Sequence, residues 1–315
     1  MKFQTEVPLN PTKGNRINFK AQSVLLGSCF TEHISEKLDF YKFQTLCNPF
    51  GILFHPQAIL TFLRNVFNNK IDENAIFFAD EQWKSFNAHS RLNHSSKTKF
   101  LNQLTSQIEG CHSRFKTTSH FIITLGTAWS YRHIETQKHV ANCHKLPSMQ
   151  FEKVLFSVEE ITDILHEIKD LIHAFNPKSE VIFTLSPVRH LKDGCIENTQ
   201  SKAYLISAIH QVVQSSNFMH YFPSYEIMMD ELRDYRFYKP DMIHPSTQAI
   251  EYIWEKFKSV WIDSQLNETL KKINHIQNGL QHKPMNPNSE AHQNFIKSID
   301  FEIDNLKKEF PHFKF

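Results

Sequence analysis

Short runs of apolar residues alternate with amphipathic segments over most of the chain. The runs have the unbroken apolar character of strands buried on both faces of a sheet, and they are SVLLGS (23–28), HFIITLGT (120–127), EVIFTLSPVRH (180–190) and MHYFPSYEI (219–227). The amphipathic segments repeat apolar residues every three or four positions, as one face of a helix does, over 30–41, 57–68, 157–175, 199–216 and 247–262. This alternation predicts an α/β domain with a mostly parallel sheet and helices on both faces.

The C-terminal part of the chain shows helical periodicity alone. Apolar stripes at 266–280 and 295–310 are separated by a proline-containing linker, a pattern that predicts a helical hairpin. The hairpin either packs on the preceding domain or serves as the arm of a homodimer, and the pattern favours neither. We therefore divide the chain into a domain over 1–262, with 69–118 as an insertion, and a helical extension over 263–315.

Composition and charge exclude several classes of function. The 315 residues are 40% hydrophobic and 22% charged, which is ordinary for a globular protein, and a formal net charge of +2 lacks the basic excess typical of nucleic-acid binding. No apolar stretch approaches the roughly 18 residues that cross a membrane, and the N-terminus has no apolar signal-peptide core. The five scattered cysteines predict no disulfide framework and fit a reducing cytoplasm.

The 19 histidines do not by themselves predict a metal site. The HExxH motif is absent, and no His/Cys cluster has the spacing of a closed ligand set. Scattered histidines are more often surface or core residues than ligands. We therefore expect neither a metal nor another cofactor.

Two separated motifs together predict nucleophilic catalysis. Asp241 and His244 lie three residues apart in a loop stiffened by Pro240 and Pro245, so the carboxylate can reach one imidazole nitrogen and leave the other free. Alone, this spacing also fits a helix cap beside a surface histidine. Ser28, however, ends the first predicted strand, and the carboxyl ends of parallel strands share one edge of a sheet. A base at that edge could activate the serine hydroxyl.

The turn from strand to helix at Ser28 also favours negative charge. A helix N-terminus presents free N–H groups, so the backbone N–H of Ser28 is a candidate oxyanion donor. Gly51, in NPFG, is a second candidate, because glycine lets the backbone approach a substrate closely. The neighbouring Cys29 is an alternative nucleophile, since a helix N-terminus also favours a thiolate. We favour Ser28, because the residue after the nucleophile in such a turn usually points elsewhere.

Six segments in order resemble one known family. They are LLGSCFTEHI, NPFGILFHP, ITLGTAWSYRH, VANCHKLP, LSPVRHLKDG and KPDMIHPS, and together they cover about residues 3–262. The chain thus resembles the GSCFA family, which is grouped with the SGNH/GDSL hydrolases, although Thr31 replaces the alanine of the name-giving motif. The resemblance implies a flavodoxin-like three-layer α/β/α fold and ester hydrolysis. It implies Ser28 as nucleophile, Asp241 and His244 as its partners, and Gly51 as an oxyanion donor.

One position departs from the SGNH pattern. Where those enzymes have Gly-x-Asn, whose asparagine donates to the oxyanion, this chain has Gly126-Thr127-Ala128. Asn142 is our candidate replacement and His144 the second, although an asparagine in such a loop is also common as a turn residue.

Three further residues are candidates for substrate binding. Arg189 and His190 follow the third predicted strand at the same edge, although either could instead pair with an acidic side chain nearby, Asp193 or Glu197. Trp129 is expected to form a pocket wall or part of the core. His144 belongs with this group as well as with the oxyanion candidates.

The leading hypothesis is a serine esterase that cleaves an O-acyl ester of a small molecule or a glycan. Ser28, His244 and Asp241 would form the triad, and the N–H groups of Ser28 and Gly51, with Asn142, the oxyanion hole. Two alternatives stay open: a catalytically impaired module that binds a glycan or acylated ligand, and an acyltransferase that uses the same triad. We expect no nucleic-acid or membrane partner, and a homodimer only through the C-terminal helices.

Overall fold

The structure is a computed structural model that describes residues 4–315. The strands are β1 (Gln22–Gly27), β2 (Gln44–Cys47), β3 (Ile76–Ala79), β4 (Gln82–Ser85), β5 (His120–Leu125), β6 (Trp129–His133), β7 (His139–Val140), β8 (Phe151–Leu155), β9 (Glu180–Leu185) and β10 (Met219–Phe222). The helices are α1 (Cys29–Phe40), α2 (Pro56–Phe67), α3 (Lys97–Phe115), α4 (Val158–Phe175), α5 (Cys195–Gln214), the single turn α6 (Ser224–Glu226), α7 (Thr247–Trp261), α8 (Asn267–Gln281) and α9 (Glu290–Glu309).

A five-stranded parallel sheet forms the centre of the domain. Its strands lie in the order β2-β1-β5-β9-β10, and each neighbouring pair is parallel. Counted along the chain, this order is 2-1-3-4-5, the arrangement of flavodoxin-like folds. The chain reverses direction across the sheet between β1 and β5, and ligands of such sheets bind beyond the strand ends at that reversal. The predicted flavodoxin-like α/β fold is confirmed.

Two apolar layers cover the sheet because successive strand residues point to opposite faces. Val24 and Leu26 of β1 pack into a cluster with α2, α3, α4 and α5. Leu25, between them, packs into a second cluster with α1, α7, α8 and α9. Helices on both faces explain why the strands read as unbroken apolar runs, and they complete the three layers.

Small antiparallel sheets lie outside the central sheet and its two layers of helices. β3 and β4 form a hairpin, and β6 pairs with both β7 and β8. The hairpin belongs to the stretch 69–118, but α3 from the same stretch buries Phe100, Leu104 and Ile108 in the main core and leads directly into β5. Only part of this stretch therefore stands apart from the layers.

The C-terminal hairpin packs on the domain. Ile273 and Ile276 of α8 and Ile299 of α9 lie in the cluster that also holds Trp254 of α7. The ring of Phe19 contacts those of Phe310 and Phe313, each at a centroid distance of 4.9 Å. Most of the apolar stripe of each helix is thereby covered by its own chain, and the homodimer stays a prediction.

None of the helices described between residues 4 and 315 has the length and apolar character to span a lipid bilayer.

Candidate active site

Ser28 lies directly beyond β1, where the sheet reverses its strand order. Gly27 before it has φ of +133°, and a Cβ there would lie only 2.1 Å from the carbonyl oxygen of Thr124 in β5. Only glycine allows this approach. Ser28 is the extended N-cap residue of α1, but its side chain makes no cap bond. The side chain is fully buried, and Oγ has no hydrogen-bond partner among the described residues.

Asp241 and His244 form a hydrogen-bonded pair in the loop before α7. Oδ2 of Asp241 lies 2.8 Å from Nδ1 of His244, and its Oδ1 accepts the N–H groups of Ile243 (2.9 Å) and His244 (3.0 Å). These bonds lower the pKa of Asp241 to about 2. The ionised carboxylate thus holds the proton of His244 on Nδ1 and leaves Nε2 free to accept one. Ser246, not Asp241, caps α7.

The loop after β9 joins this pair to the neighbourhood of Ser28. Arg189 donates its backbone N–H to Ile243 (3.2 Å). A Cβ built on Gly126 would lie 3.2 Å from Nε2 of His190 and 3.5 Å from Cβ of Ser28. The ends of β1, β5 and β9 therefore meet around Gly126, and the bond from Arg189 links the Asp241–His244 loop to the residue beside His190.

His190 is a neutral imidazole at physiological pH. Burial lowers its pKa to about 3, and the charges of Lys202 and His244 add to this effect. Its Nε2 is buried without a hydrogen-bond partner among the described residues. The alternative of an ion pair to Asp193 or Glu197 is not seen for Arg189 or His190 among the described residues. Asp193 binds Lys153 (2.7 Å), and Arg189 places a terminal nitrogen 3.0 Å from Sδ of Met229.

Lys202 is a buried cation beside the site that sequence reasoning missed. Its ammonium donates to the carbonyl oxygens of Gly126 (2.7 Å) and Ser186 (2.8 Å), which follow β5 and β9. Burial lowers its pKa to about 7. Lys202 falls on the apolar stripe of α5 with Leu205 and Ile209. A lysine on that apolar stripe was the sequence feature that could have revealed this residue, because lysine is almost never fully buried without partners.

Both predicted backbone donors already have acceptors. The N–H of Ser28 donates to Thr124 O (3.1 Å), and that of Gly51 donates to Asn48 O (2.8 Å). Gly51 packs against His89, because a Cβ at Gly51 would lie 2.2 Å from Cβ of that residue. Oxyanion binding by either N–H would therefore require it to share or exchange its present bond.

Neighbours of Gly51 make the contacts to the strand ends. Leu53 donates its N–H to Gly27 O (3.0 Å), and Phe54 O accepts the N–H of Gly126 (2.8 Å). Asn48 accepts the N–H of Gly27 at Oδ1 (2.9 Å), while its buried Nδ2 has no partner among the described residues. The loop thus fixes the ends of β1 and β5 through residues that the sequence did not single out.

Four of the candidate residues line one cavity of about 560 Å³, formed largely by β6, β7, β8 and the loop between β7 and β8. They are Trp129, Asn142, His144 and His190. Asn142 accepts the N–H of His144 at Oδ1 (2.7 Å), and Nε2 of His144 donates to Ser85 O (2.7 Å). His190 belongs both to this wall and to the group around Ser28, so it connects the cavity to the serine.

A larger groove of about 790 Å³ lies elsewhere, between residues 230–237 and 248–255, and none of the candidate residues lines it.

The alternative nucleophile lies in an unfavourable environment. Burial and the nearby charge of Glu32 raise the pKa of the Cys29 thiol, so its thiolate is disfavoured. All five cysteines are free. Within residues 4–315, no group of three or more His, Cys, Asp and Glu side chains is placed to hold a metal ion.

The sequence pattern of the GSCFA family matches residues 22–257, and that of the GSCFA domain protein C-terminal domain matches residues 266–315. No curated protein sequence matches the chain. Among solved structures, it is similar to a carbohydrate esterase of family 3 from Talaromyces cellulolyticus (9% identity, TM-score 0.37, 80% of this chain and 98% of that one). It is also similar to the acetyl xylan esterase Est2A from the rumen bacterium Butyrivibrio proteoclasticus (8%, 0.40, 82% and 66%). Because the first pattern spans most of its length, the chain belongs to the GSCFA family.

Proposed function

We propose that the protein is a serine esterase of the SGNH type that hydrolyses an O-acyl ester. The observation that supports this proposal is that His190, which lies beside Gly126 and Ser28, directly follows Arg189, whose N–H donates to Ile243 in the Asp241–His244 loop. Ser28 lies at the reversal point of the sheet, and its hydroxyl has no partner within residues 4–315. The imidazole of His244 is oriented by an ionised carboxylate at 2.8 Å. A nucleophile, a base and a group that orients the base are the parts that acyl transfer needs.

In the proposed reaction, Oγ of Ser28 attacks the ester carbon while Nε2 of His244 takes the hydroxyl proton. The carbonyl electron pair moves onto oxygen, and the positive charge on His244 is stabilised by Asp241. The intermediate collapses, the C–O bond to the alcohol breaks, and His244 gives its proton to the departing oxygen. Water then repeats the sequence on the acyl-enzyme, so the carboxylic acid leaves and Ser28 is restored.

The cavity beside His190 supports an acylated carbohydrate as substrate. Trp129 and Tyr131 supply aromatic surface, and the side chains of Asn142 and His144 supply polar groups. Oδ1 of Asn142 is occupied by His144 N–H, so its amide nitrogen is the part free to donate. Apolar walls with a few polar groups suit a ligand that has both apolar faces and hydroxyl groups.

The test replaces Ser28 with alanine and measures hydrolysis of 4-nitrophenyl acetate. We expect turnover to fall by roughly 10⁴-fold or more, because the nucleophile is lost. Ser23→Ala is the matched control: Ser23 is a buried, unpartnered serine at the other end of the same strand, and its loss should leave kcat unchanged. Undiminished turnover in a clean preparation of Ser28→Ala would reject the proposal.

One observation favours the impaired binding module as a second candidate. Ser28 is fully buried, so a substrate reaches Oγ only after the side chains around it shift. A small fluorophosphonate distinguishes the candidates, because an active serine is phosphonylated and a merely buried one is not. Labelling of the wild type but not of Ser28→Ala supports the esterase, whereas ligand binding without any labelling supports the module. Acyl transfer on the same residues would show as a new ester when a sugar acceptor is added.

A further inference from the structure

Two buried polar atoms that have no hydrogen-bond partner in the described part of the chain belong to residues beside Gly126. They are Oγ of Ser28 and Nε2 of His190. The Cβ that a side chain at Gly126 would carry lies within 3.5 Å of both Cβ of Ser28 and Nε2 of His190. Leaving a buried donor or acceptor unpaired is unfavourable, and such atoms in a native structure call for a functional explanation. A bound group that accepts a hydrogen bond here would provide one.

Gly126 belongs to the segment in which this chain lacks the hydrogen-bond donor of the SGNH pattern. Gly126 opens the Gly-Thr-Ala segment in which Ala128 stands in place of an asparagine. Ala128 is fully buried, and its own N–H donates to Oγ of Ser201 (2.7 Å). The N–H groups of Ser28 and Gly51 already donate to carbonyl oxygens. Nε2 of His190 is therefore a nitrogen beside Ser28 that has no competing acceptor.

Three contacts hold His190 and the residue before it in place. Its N–H donates to Oδ1 of Asn198 (2.9 Å), and the preceding Arg189 is tied to the loop of His244 by the bond to Ile243. The imidazole meets the ring of Phe54 nearly at right angles, with centroids 5.8 Å apart. A donor held in this way needs little reorganisation when charge develops beside it.

We propose that His190 donates a hydrogen bond from Nε2 to the substrate oxygen that becomes the oxyanion when Ser28 attacks. This inference rests on the proposed esterase function. The proton of His190 is not transferred: His244 takes and returns the proton of the reaction, while His190 only stabilises the charge on oxygen. Burial lowers the pKa of His190 to about 3, which supports the assignment, since a neutral imidazole is a poor base but keeps an N–H to donate.

The experiment compares His190→Phe, which keeps a ring without a donor, with His190→Gln, which keeps a neutral N–H donor. With 4-nitrophenyl acetate, we expect the Phe variant to lose about 10²–10³-fold in kcat with little change in KM, as loss of one oxyanion donor does. The Gln variant should keep more of its kcat. Inhibition by methylboronic acid, whose tetrahedral adduct on Ser28 carries a negative oxygen, should weaken in the Phe variant by a similar factor.

His120→Phe is the control for general damage to the sheet. His120 is a fully buried histidine at the opposite end of β5, where Nε2 donates to Asn15 O (2.9 Å). Its loss should lower the melting temperature without changing kcat of the folded protein. Wild-type kcat in His190→Phe, equal kcat in the Phe and Gln variants, or unchanged boronate inhibition would each overturn the inference. Turnover that does not need Ser28 would instead reject the underlying esterase proposal.

Discussion

At the scale of single residues, the candidate site combines one partly exposed Asp–His pair with polar groups that are buried. Asp241 and His244 are partly exposed, and three hydrogen bonds orient the carboxylate. Around Ser28 the imidazole of His190 is neutral, and Lys202 is a buried ammonium whose pKa is lowered to about 7. Burial thus lowers the pKa values of both His190 and Lys202, whereas hydrogen bonds lower that of Asp241.

Asp241→Asn tests the orienting carboxylate. The amide can still accept the two backbone N–H groups at Oδ1, but an NH2 group facing Nδ1 favours the wrong tautomer of His244. We expect kcat for 4-nitrophenyl acetate to fall by about 10³–10⁴-fold, with little change in thermal stability because the side chain is exposed. Asp234→Asn is the control, since Asp234 also accepts a nearby backbone N–H, that of Arg236. Comparable losses in both variants would argue against a specific role for Asp241.

At the scale of elements, the start of α2 depends on a buried histidine. Nδ1 of His55 accepts the N–H of Ala58 (3.2 Å), and Nε2 donates to Val140 O in β7 (3.1 Å). The neutral ring therefore caps a helix and joins it to the sheet that lines the cavity. Protonation would turn the capping nitrogen into a donor and break the cap. Burial, with a small contribution from His139, lowers the pKa of His55 to about 4.

This arrangement predicts an acid-sensitive fold. Because an unfolded histidine has a pKa of about 6.5, the unfolded chain takes up the proton first. The free energy of unfolding should therefore fall as pH drops from about 6.5 towards 4. His55 should contribute at most about 3 kcal/mol to this fall. Urea unfolding at about pH 7 and about pH 4.5 should show a smaller difference for His55→Asn than for the wild type.

The control for His55→Asn is Ser96→Ala, which removes the cap of α3 without removing a titrating group. It should lower stability by about 1 kcal/mol at both pH values. An unchanged pH dependence in His55→Asn would show that other groups cause the acid sensitivity.

At the scale of the whole molecule, the C-terminal hairpin contributes residues to the hydrophobic core. The cluster on its face of the sheet contains residues from α1, α7, α8 and α9 together with Leu25 of β1. Residues that share one packed cluster unfold together in small domains. Loosening of the hairpin should consequently also destabilise α1, the helix whose N-cap residue is Ser28.

Ile273→Ala tests this coupling. Ile273 is fully buried, and removing such a side chain costs about 2–5 kcal/mol. We expect one cooperative unfolding transition at lower denaturant concentration, monitored both by circular dichroism and by loss of esterase activity. Phe301 lies on the outer face of α9 with 66% of its surface exposed. Phe301→Ala should therefore leave the denaturant concentration of the unfolding transition unchanged. Two separate transitions in Ile273→Ala would mean that the hairpin is an independent unit.

Much of the fold could be predicted because its central strands are buried on both faces. β2 and the strands of the small sheets could not. β2 is a four-residue strand at the sheet edge whose residues are all only half-buried, so it has no unbroken apolar run. β6 to β8 alternate or mix polar residues within a stretch that reads as loop. Their pairing depends on contacts between separated segments, which local periodicity does not report.

Part of the candidate site could be proposed from motifs that lie within a few residues of each other in the sequence. The spacing of Asp241 and His244, and the strand–Gly–Ser–helix turn at Ser28, indicate chemistry within a few residues of sequence. The burial of Lys202 and the neutral state of His190 depend on which strand ends lie side by side. The packing of Gly51 against His89 likewise depends on the conformation of the whole loop, which the sequence alone does not reveal.

The walls of the cavity and the frame of the sheet come from different parts of the chain. Ser28, Gly126 and Lys202 are tied to the parallel strands, whereas Trp129, Tyr131 and Asn142 belong to the small sheet of β6 to β8 and its loop. Substitutions in that small sheet can reshape what the protein accepts without moving the reacting groups. Members of the family could therefore diverge in the compounds they recognise while keeping a common reaction, and exchanging residues 129–155 between two members would transfer preference and leave the chemistry intact.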